Sequence, residues 1–214
     1  MTWVTYLEVN ELTNITSSDV ANASITSLIG YARRQLLSDI QIRAIREKVR
    51  YIDNTRQNLI NGSNTSFYVQ NWKGSYLGDL DLDGDVDTSD VTVYQVTSGG
   101  TETTLTVSAV DQDDCKITLS TAPASGVILY ITYCYAPVDV STPNALVNLA
   151  CAYLTASYCY AKVNIGKARS VSYGNTRILR DMESSNEYYT KYRSVLKQIC
   201  DFAPVNMGQS ENIL

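Results

Sequence analysis

The chain has 214 residues, 44% of them apolar and 18% charged, enough for one compact domain with a real core or for two small ones. This composition excludes a disordered or fibrous chain. A net charge of -5 and the complete absence of histidine remove Ser-His-Asp and Cys-His catalysis, histidine zinc sites and imidazole proton shuttles.

The predicted elements begin with helix. A short helix is expected around Thr5 to Leu12. Within Ser24 to Ile40, Ile25, Leu28, Ile29, Ala32, Leu36 and Ile40 recur at spacings of three and four, which makes an amphipathic helix with Asn22 or Ser24 as its cap. Arg33 and Arg34 fall off that stripe and should face outward. Met1 to Asn10 has no basic stretch followed by an apolar run, and no run of about 18 apolar residues occurs anywhere. The expectation is a chain made in a cytoplasm, without a membrane span.

After about Ile45 the period changes. Val49, Tyr51, Phe67 to Val69, Val91 to Val96, Thr103 to Val110, Lys116 to Leu119 and Val127 to Tyr135 are rich in Val, Ile, Thr and Tyr. Asn61-Gly62, Gly99-Gly100 and Pro123 through Gly126 separate them, which reads as short antiparallel strands joined by turns. Pro143, with Ser141 or Thr142 as cap, opens a largely apolar helix that runs to Ile165. Gly166 ends it, Lys167 to Arg180 mixes small, polar and basic residues, a last helix runs from about Met182 to Asp201, and a loose tail follows. The fold class is α+β: N-terminal helices over 1–47, an inserted antiparallel β domain over 48–137, helices over 138–202 that complete a bundle, and a tail over 203–214.

One motif is sharp. Asp79, Asp81, Asp83, Asp85, Asp87 and Asp90 place carboxylates at positions 1, 3, 5, 7, 9 and 12 of a twelve-residue loop, with Gly84 at position 6. Calcium is a hard cation that takes six to eight oxygens. Alternate side chains of a curling loop can converge on it, the position-7 residue offers its backbone carbonyl, and glycine permits the sharp turn. Val86 at position 8 is the apolar anchor such loops use. Asp90 in place of a longer Glu fits a dockerin-like loop better than a calmodulin-like hand, and Val91 to Val96 reads as strand where a paired hand would start a helix. Ca2+ is the expected cofactor, in a structural role.

Five cysteines form no CxxC pair and read as free thiols in a reducing compartment. No Walker loop, GxGxxG after a strand or GxSxG elbow occurs, so no enzyme is predicted. Charge is distributed unevenly: residues 61–137 hold two basic and ten acidic side chains, a net of -8, and the rest of the chain carries +3. Sixteen tyrosines against two phenylalanines supply amphipathic contact surface.

The order of helix pair, β insertion, long apolar helix, short extended segment, last helix and loose tail resembles the head-tail connector proteins of tailed viruses, the adaptor or head-completion proteins beneath the portal. Ser18 to Ile40 resembles the opening helix of that family, and Val171-Ser172-Tyr173-Gly174-Asn175 its short extended segment. The resemblance implies a structural virion protein at the head-tail junction, assembled in host cytoplasm into a roughly twelvefold homo-oligomeric ring. It also implies contacts with a portal protein and with a tail or stopper protein, and a channel that passes DNA without reading its sequence. Arg177, Arg180, Tyr188, Tyr189 and Tyr192 are the candidate partner-binding residues. The alternative is a dockerin-like, calcium-dependent binding module of a surface complex; a metal-dependent enzyme on the same carboxylates would need a substrate cleft that the sequence does not display.

Overall fold

The structure is a computed structural model and describes residues 3–164, 170–173, 176–179 and 184–201. The chain divides into two compact units, Met1–Asp39 with Pro143–Ile199, and Ile40–Thr142 with Cys200–Leu214. Mixed α+β structure with helices and antiparallel sheets is what the sequence predicts.

In the first unit, α1 (Tyr6–Thr13) starts at a capping box: Thr5 N–H donates to Glu8 at 2.6 Å and Glu8 N–H donates to Thr5 Oγ1 at 3.4 Å. Asn14, in the left-handed region at φ 54°, closes it. Helix α2 (Asn22–Ile40) buries Ile25, Ala32, Leu36, Leu37 and Ile40, the predicted stripe shifted to take in Leu37. Because α2 starts at Asn22, with the Ala21 carbonyl accepting from Ser24 and Ile25 N–H, the expected caps Asn22 and Ser24 both lie within its first turn. Arg33 is half-buried, contrary to expectation, with its guanidinium 5.8 Å from the Trp3 ring centre.

Helix α3 (Ala145–Asn164) buries Val147, Ala150, Cys151, Leu154 and Cys159 and packs against α1. Its start is capped by Asn144, whose Oδ1 accepts the Val147 N–H at 3.0 Å. Ser141 and Thr142, the expected caps, instead donate their N–H groups to Asp139 in the turn before. Strands β9 (Ser170–Tyr173) and β10 (Thr176–Leu179) pair antiparallel, where the sequence reading has one short extended segment. Helix α4 (Ser184–Asp201) contributes Tyr192, Val195 and Ile199 to the buried set.

Tyrosine hydroxyls tie this unit together. Tyr160 Oη donates to Thr13 O at 2.8 Å, Tyr188 Oη donates to Leu12 O at 3.0 Å, and Tyr192 Oη donates to the Asp39 carboxylate. Each carries a polar tip that bonds a helix-end carbonyl or a carboxylate, which phenylalanine could not do. Ser157 and Ser185 exchange hydroxyl-to-carbonyl bonds of 2.9 and 3.1 Å and fix α3 to α4.

The second unit opens with a correction. Residues 42–47, assigned by sequence to the N-terminal helices, belong to strand β1 (Ile42–Lys48). It is an edge strand that buries almost nothing, so its polar and apolar residues carry no period of two. A sheet in the order β1-β8-β4-β5 follows, built from β8 (Ile128–Ala136), β4 (Thr92–Val96) and β5 (Glu102–Leu105), with the short β3 (Tyr76–Leu77) also on β8. A second sheet orders β2 (Ser66–Tyr68), β7 (Lys116–Leu119) and β6 (Val107–Asp111).

One core joins the two sheets: Leu129, Ile131, Tyr133 and Tyr135 from β8 and Val93 from β4, with Phe67, Ile117 and Leu119 from the other sheet. The β8 residues alternate as a pleated strand requires. Burial of each large apolar side chain stabilises by about 1.5–3 kcal/mol, and β8, paired on both edges, collects the most.

Candidate metal centre

The acidic loop lies between β3 and β4, and the topology explains its shape. Leu77 pairs with Tyr135 and Thr92 pairs with Thr132, so both ends of the loop are fixed to one stretch of β8. Residues 78–91 must therefore fold back on themselves. Leu82 at φ 63° and Gly84 at φ 112° make the reversal, and glycine adopts that second value without the Cβ clash another residue would meet. Val86 is half-buried and packs on the core, as an anchor should.

Backbone N–H groups then aim the carboxylates. Gly84 N–H donates to Asp79 Oδ2 at 2.7 Å and Asp83 N–H donates to Asp79 Oδ1 at 3.2 Å. Asp90, in a 3-10 turn over Thr88–Asp90, accepts from Leu80 and Asp81 on one oxygen and from Asp87 on the other at 2.8 Å, joining the loop's two ends. Ser89, which sequence reasoning did not single out, donates its hydroxyl to Asp81 at 3.2 Å and to Asp87 at 2.7 Å.

Of the six predicted ligands, the structure brings Asp79, Asp81 and Asp83 together, with one carboxylate oxygen from each within 4.8 Å of the others. Asp90 is buried beside them, only 1% exposed like Asp79. Asp85 and Asp87 are outside this group; both are exposed, and the Asp87 carboxylate is taken up by Ser89. The Asp85 side chain has no place in the predicted ligand set either, since position 7 offers a carbonyl.

Burial, reinforced by the charge of Asp90, pushes the Asp79 carboxyl up to about 6. Burial also raises Asp90, against three backbone N–H bonds that favour its ionised form. Asp87 is held below the ordinary range by the Ser89 hydroxyl and N–H. Two carboxylates under water-poor conditions with raised pKa values form a centre that a cation would relieve. The donors are all oxygen, which suits a hard divalent cation and not zinc or copper. The nearby Cys134 thiol is pushed up to about 11 by burial and stays protonated, so it adds no soft ligand.

Just before the loop, Gly78 gives its missing side chain's space to Gln41. A Cβ there would sit 2.7 Å from Gln41 Oε1 and 3.1 Å from Cys134 Cβ. A separate buried network holds Glu47, which accepts from Gln70 N–H at 3.0 Å, Asn71 Nδ2 at 2.9 Å and the Tyr133 hydroxyl at 3.0 Å. Burial raises Glu47 above the usual carboxylate range. Neither feature carries a sequence signal, because each joins residues far apart in the chain.

The predicted partner-binding residues separate. Tyr192 is fully buried and bonded to Asp39, so its side chain is core and not contact surface. Tyr188 is half-buried and stacked 5.4 Å from Tyr160, while Tyr189 remains 46% exposed. Helical spacing at 188, 189 and 192 places the first and last on the inner face and 189 off it. Arg177 lies on β10 opposite Ser172; Arg180 and the 203–214 tail lie outside the described residues. Among the described residues no helix is long and apolar enough to cross a membrane. No protein-family model matches the chain, and no curated protein does.

Proposed function

We propose that this chain is a non-enzymatic head-tail adaptor of a tailed virus, and that residues 79–90 bind calcium to rigidify its β unit. The observation that carries the first part is the division of the chain. Residues from both ends build one helical unit, with α1 and α2 before the β unit and α3, a short β pair and α4 after it. That order is the one by which the sequence resembles the connector proteins. In this reading copies close into a roughly twelvefold ring on the portal, hand the channel on to a tail or stopper protein, and let DNA pass without sequence-specific contacts.

The calcium assignment rests on Asp79, Asp81, Asp83 and the buried Asp90. Asp79, Asp81 and Asp83 would hold the ion, and Asp90 would either ligate it or hold the loop's ends for it. The ion supplies positive charge that offsets carboxylate repulsion; the chain's own N–H groups orient the oxygens. No reaction step is involved.

Negative-stain microscopy of the protein mixed with a candidate portal tests the adaptor reading: rings seated on the portal are expected, and their absence at micromolar concentrations of both proteins overturns it. The acidic loop favours one other reading, a calcium-dependent binding module. That reading requires partner capture to vanish in chelator, while the adaptor reading requires only a loss of stability.

A further inference from the structure

We infer that copies of this chain join head to tail through the two free edges of the larger sheet, β1 of one copy adding to β5 of the next. This rests on the self-association contained in the adaptor reading and supplies the surface that performs it.

Both edges are open. Among the described residues, no backbone group of Ile42–Arg46 bonds outside the β8 ladder except the Arg46 N–H, which donates to Thr132 Oγ1 at 3.1 Å. Beyond Glu47 the edge closes, since Gln70 and Asn58 side chains donate to Arg50 O. At the other side of the sheet, β5 pairs with β4 alone. The open part of β1 is regular over Ile42–Ala44 and bulges after it, with Arg46 in the left-handed region at φ 52°; β5 offers Glu102–Leu105. A row of unpaired N–H and C=O groups is a template for another strand.

Direction selects the pairing. Every neighbour in β1-β8-β4-β5 is antiparallel, so β1 and β5 run in opposite senses. A second copy in the same orientation brings its β1 antiparallel to β5 and extends the ladder along Ile42–Ala44, ahead of the bulge in β1. The interface is heterologous, the type that closes into a ring when the rotation between copies permits.

Charge selects it again. The open part of β1 carries exposed Arg43 and Arg46; β5 carries exposed Glu102, Thr103 and Thr104 and no cation. A β1-to-β1 contact would set like charges opposite one another, whereas β1-to-β5 sets Arg43 beside the β-prone threonines and a Glu102 that is already paired in its own copy. Within one copy Arg46 already crosses the sheet over Tyr130 and Tyr94, 5.6 and 5.1 Å from their ring centres, to pair with Glu102. That span holds both edges in one rigid face. Ile45, 67% exposed on the open edge, gains a neighbour in the assembly.

The test uses the full chain with Cys200→Ser, which removes the exposed thiol. Ile45→Cys and Thr104→Cys are introduced singly and together, and a short bismaleimide is added under conditions where rings form. The double variant is expected to give a ladder of covalent multimers, and each single variant no more than the parent. Rings without that ladder overturn the edge pairing and leave the adaptor reading standing. A covalent dimer from Ile45→Cys alone places β1 on β1 and overturns it as well. No assembly in any condition, portal present, removes both readings. As an independent measurement, Arg43→Glu should weaken self-association about twofold to fivefold with an unchanged circular dichroism spectrum, an effect within the range of one exposed charge pair; unchanged association counts against the pairing.

Discussion

Replacing Asp79 with Asn should stabilise the protein in chelator and abolish its response to calcium. Burial and the Asp90 charge raise the Asp79 carboxyl from 3.8 to about 6, so keeping it ionised in the folded state costs about 3 kcal/mol at one pKa unit per 1.36 kcal/mol. The sign follows from proton uptake. Between pH 3.8 and about 6 the folded chain binds a proton that the unfolded chain has released, so this group's contribution falls as pH rises across that window and stays low above it. An asparagine carries no such cost but loses part of the bonding to Asp83 and Gly84 N–H, worth about 1 kcal/mol, which leaves a net gain of about 1–2 kcal/mol at pH 7. Calcium at a hundredfold excess over Kd adds about 2.7 kcal/mol to the parent. For a unit of about 100 residues each kcal/mol moves Tm by about 4–8 °C, so calcium should raise the parent's Tm by roughly 10 °C or more at pH 7. At pH 5 protons compete for Asp79 and the calcium shift should shrink. Thermal unfolding in calcium and in chelator, for both proteins at both pH values, reads all of this. Equal Tm values for the parent with and without calcium, or a full calcium response from the Asn variant, would refute the reasoning.

Gly78→Ala should cost no more than about 1 kcal/mol, since the added methyl meets the far end of the Gln41 side chain, which can swing aside; thermal unfolding showing a loss of several kcal/mol would contradict this. Glu47 titrates above the usual range, so its contribution to stability falls as pH rises from its ordinary value of 4.5 through the raised folded one. Urea unfolding of Glu47→Gln should show a shallower decline over that interval, and identical slopes would sink the assignment. Tyr192→Phe should cost about 1.5–3 kcal/mol by removing the bond to Asp39, whereas Tyr189→Ala should cost under about 1 kcal/mol and register, if at all, in assembly. Thiol titration should find one fast-reacting cysteine, Cys200, in the native protein and five in denaturant, because the other four are buried and Cys115 and Cys151 are pushed up to about 12.

The parts legible in sequence were those written in local spacing. A period of three and four marks α2 and α3, runs of Val, Ile, Thr and Tyr mark β4, β7 and β8, and alternate aspartates with Gly84 mark the acidic loop. Each signal lies within about twenty residues and reflects one element's own geometry, because a helix or a strand repeats its side chains on one face whatever it packs against. The loop's ligand spacing is local for the same reason, as a single turn of chain must wrap one ion.

Tertiary structure decided the rest. Ile42–Lys48 becomes a strand only because β8, more than 80 residues further along the chain, offers it a ladder. Asp79 and Asp90 are buried while Asp81, Asp83, Asp85 and Asp87 are exposed, a division imposed by β8 holding both ends of the loop. Tyr192 enters the core where Asp39 can accept its hydroxyl, and the open edges of β1 and β5 exist only once the sheet is ordered. These outcomes depend on partners distant in sequence, and burial, which sets both the pKa of Asp79 and the availability of an edge, is a property of the packed chain and not of any residue in it.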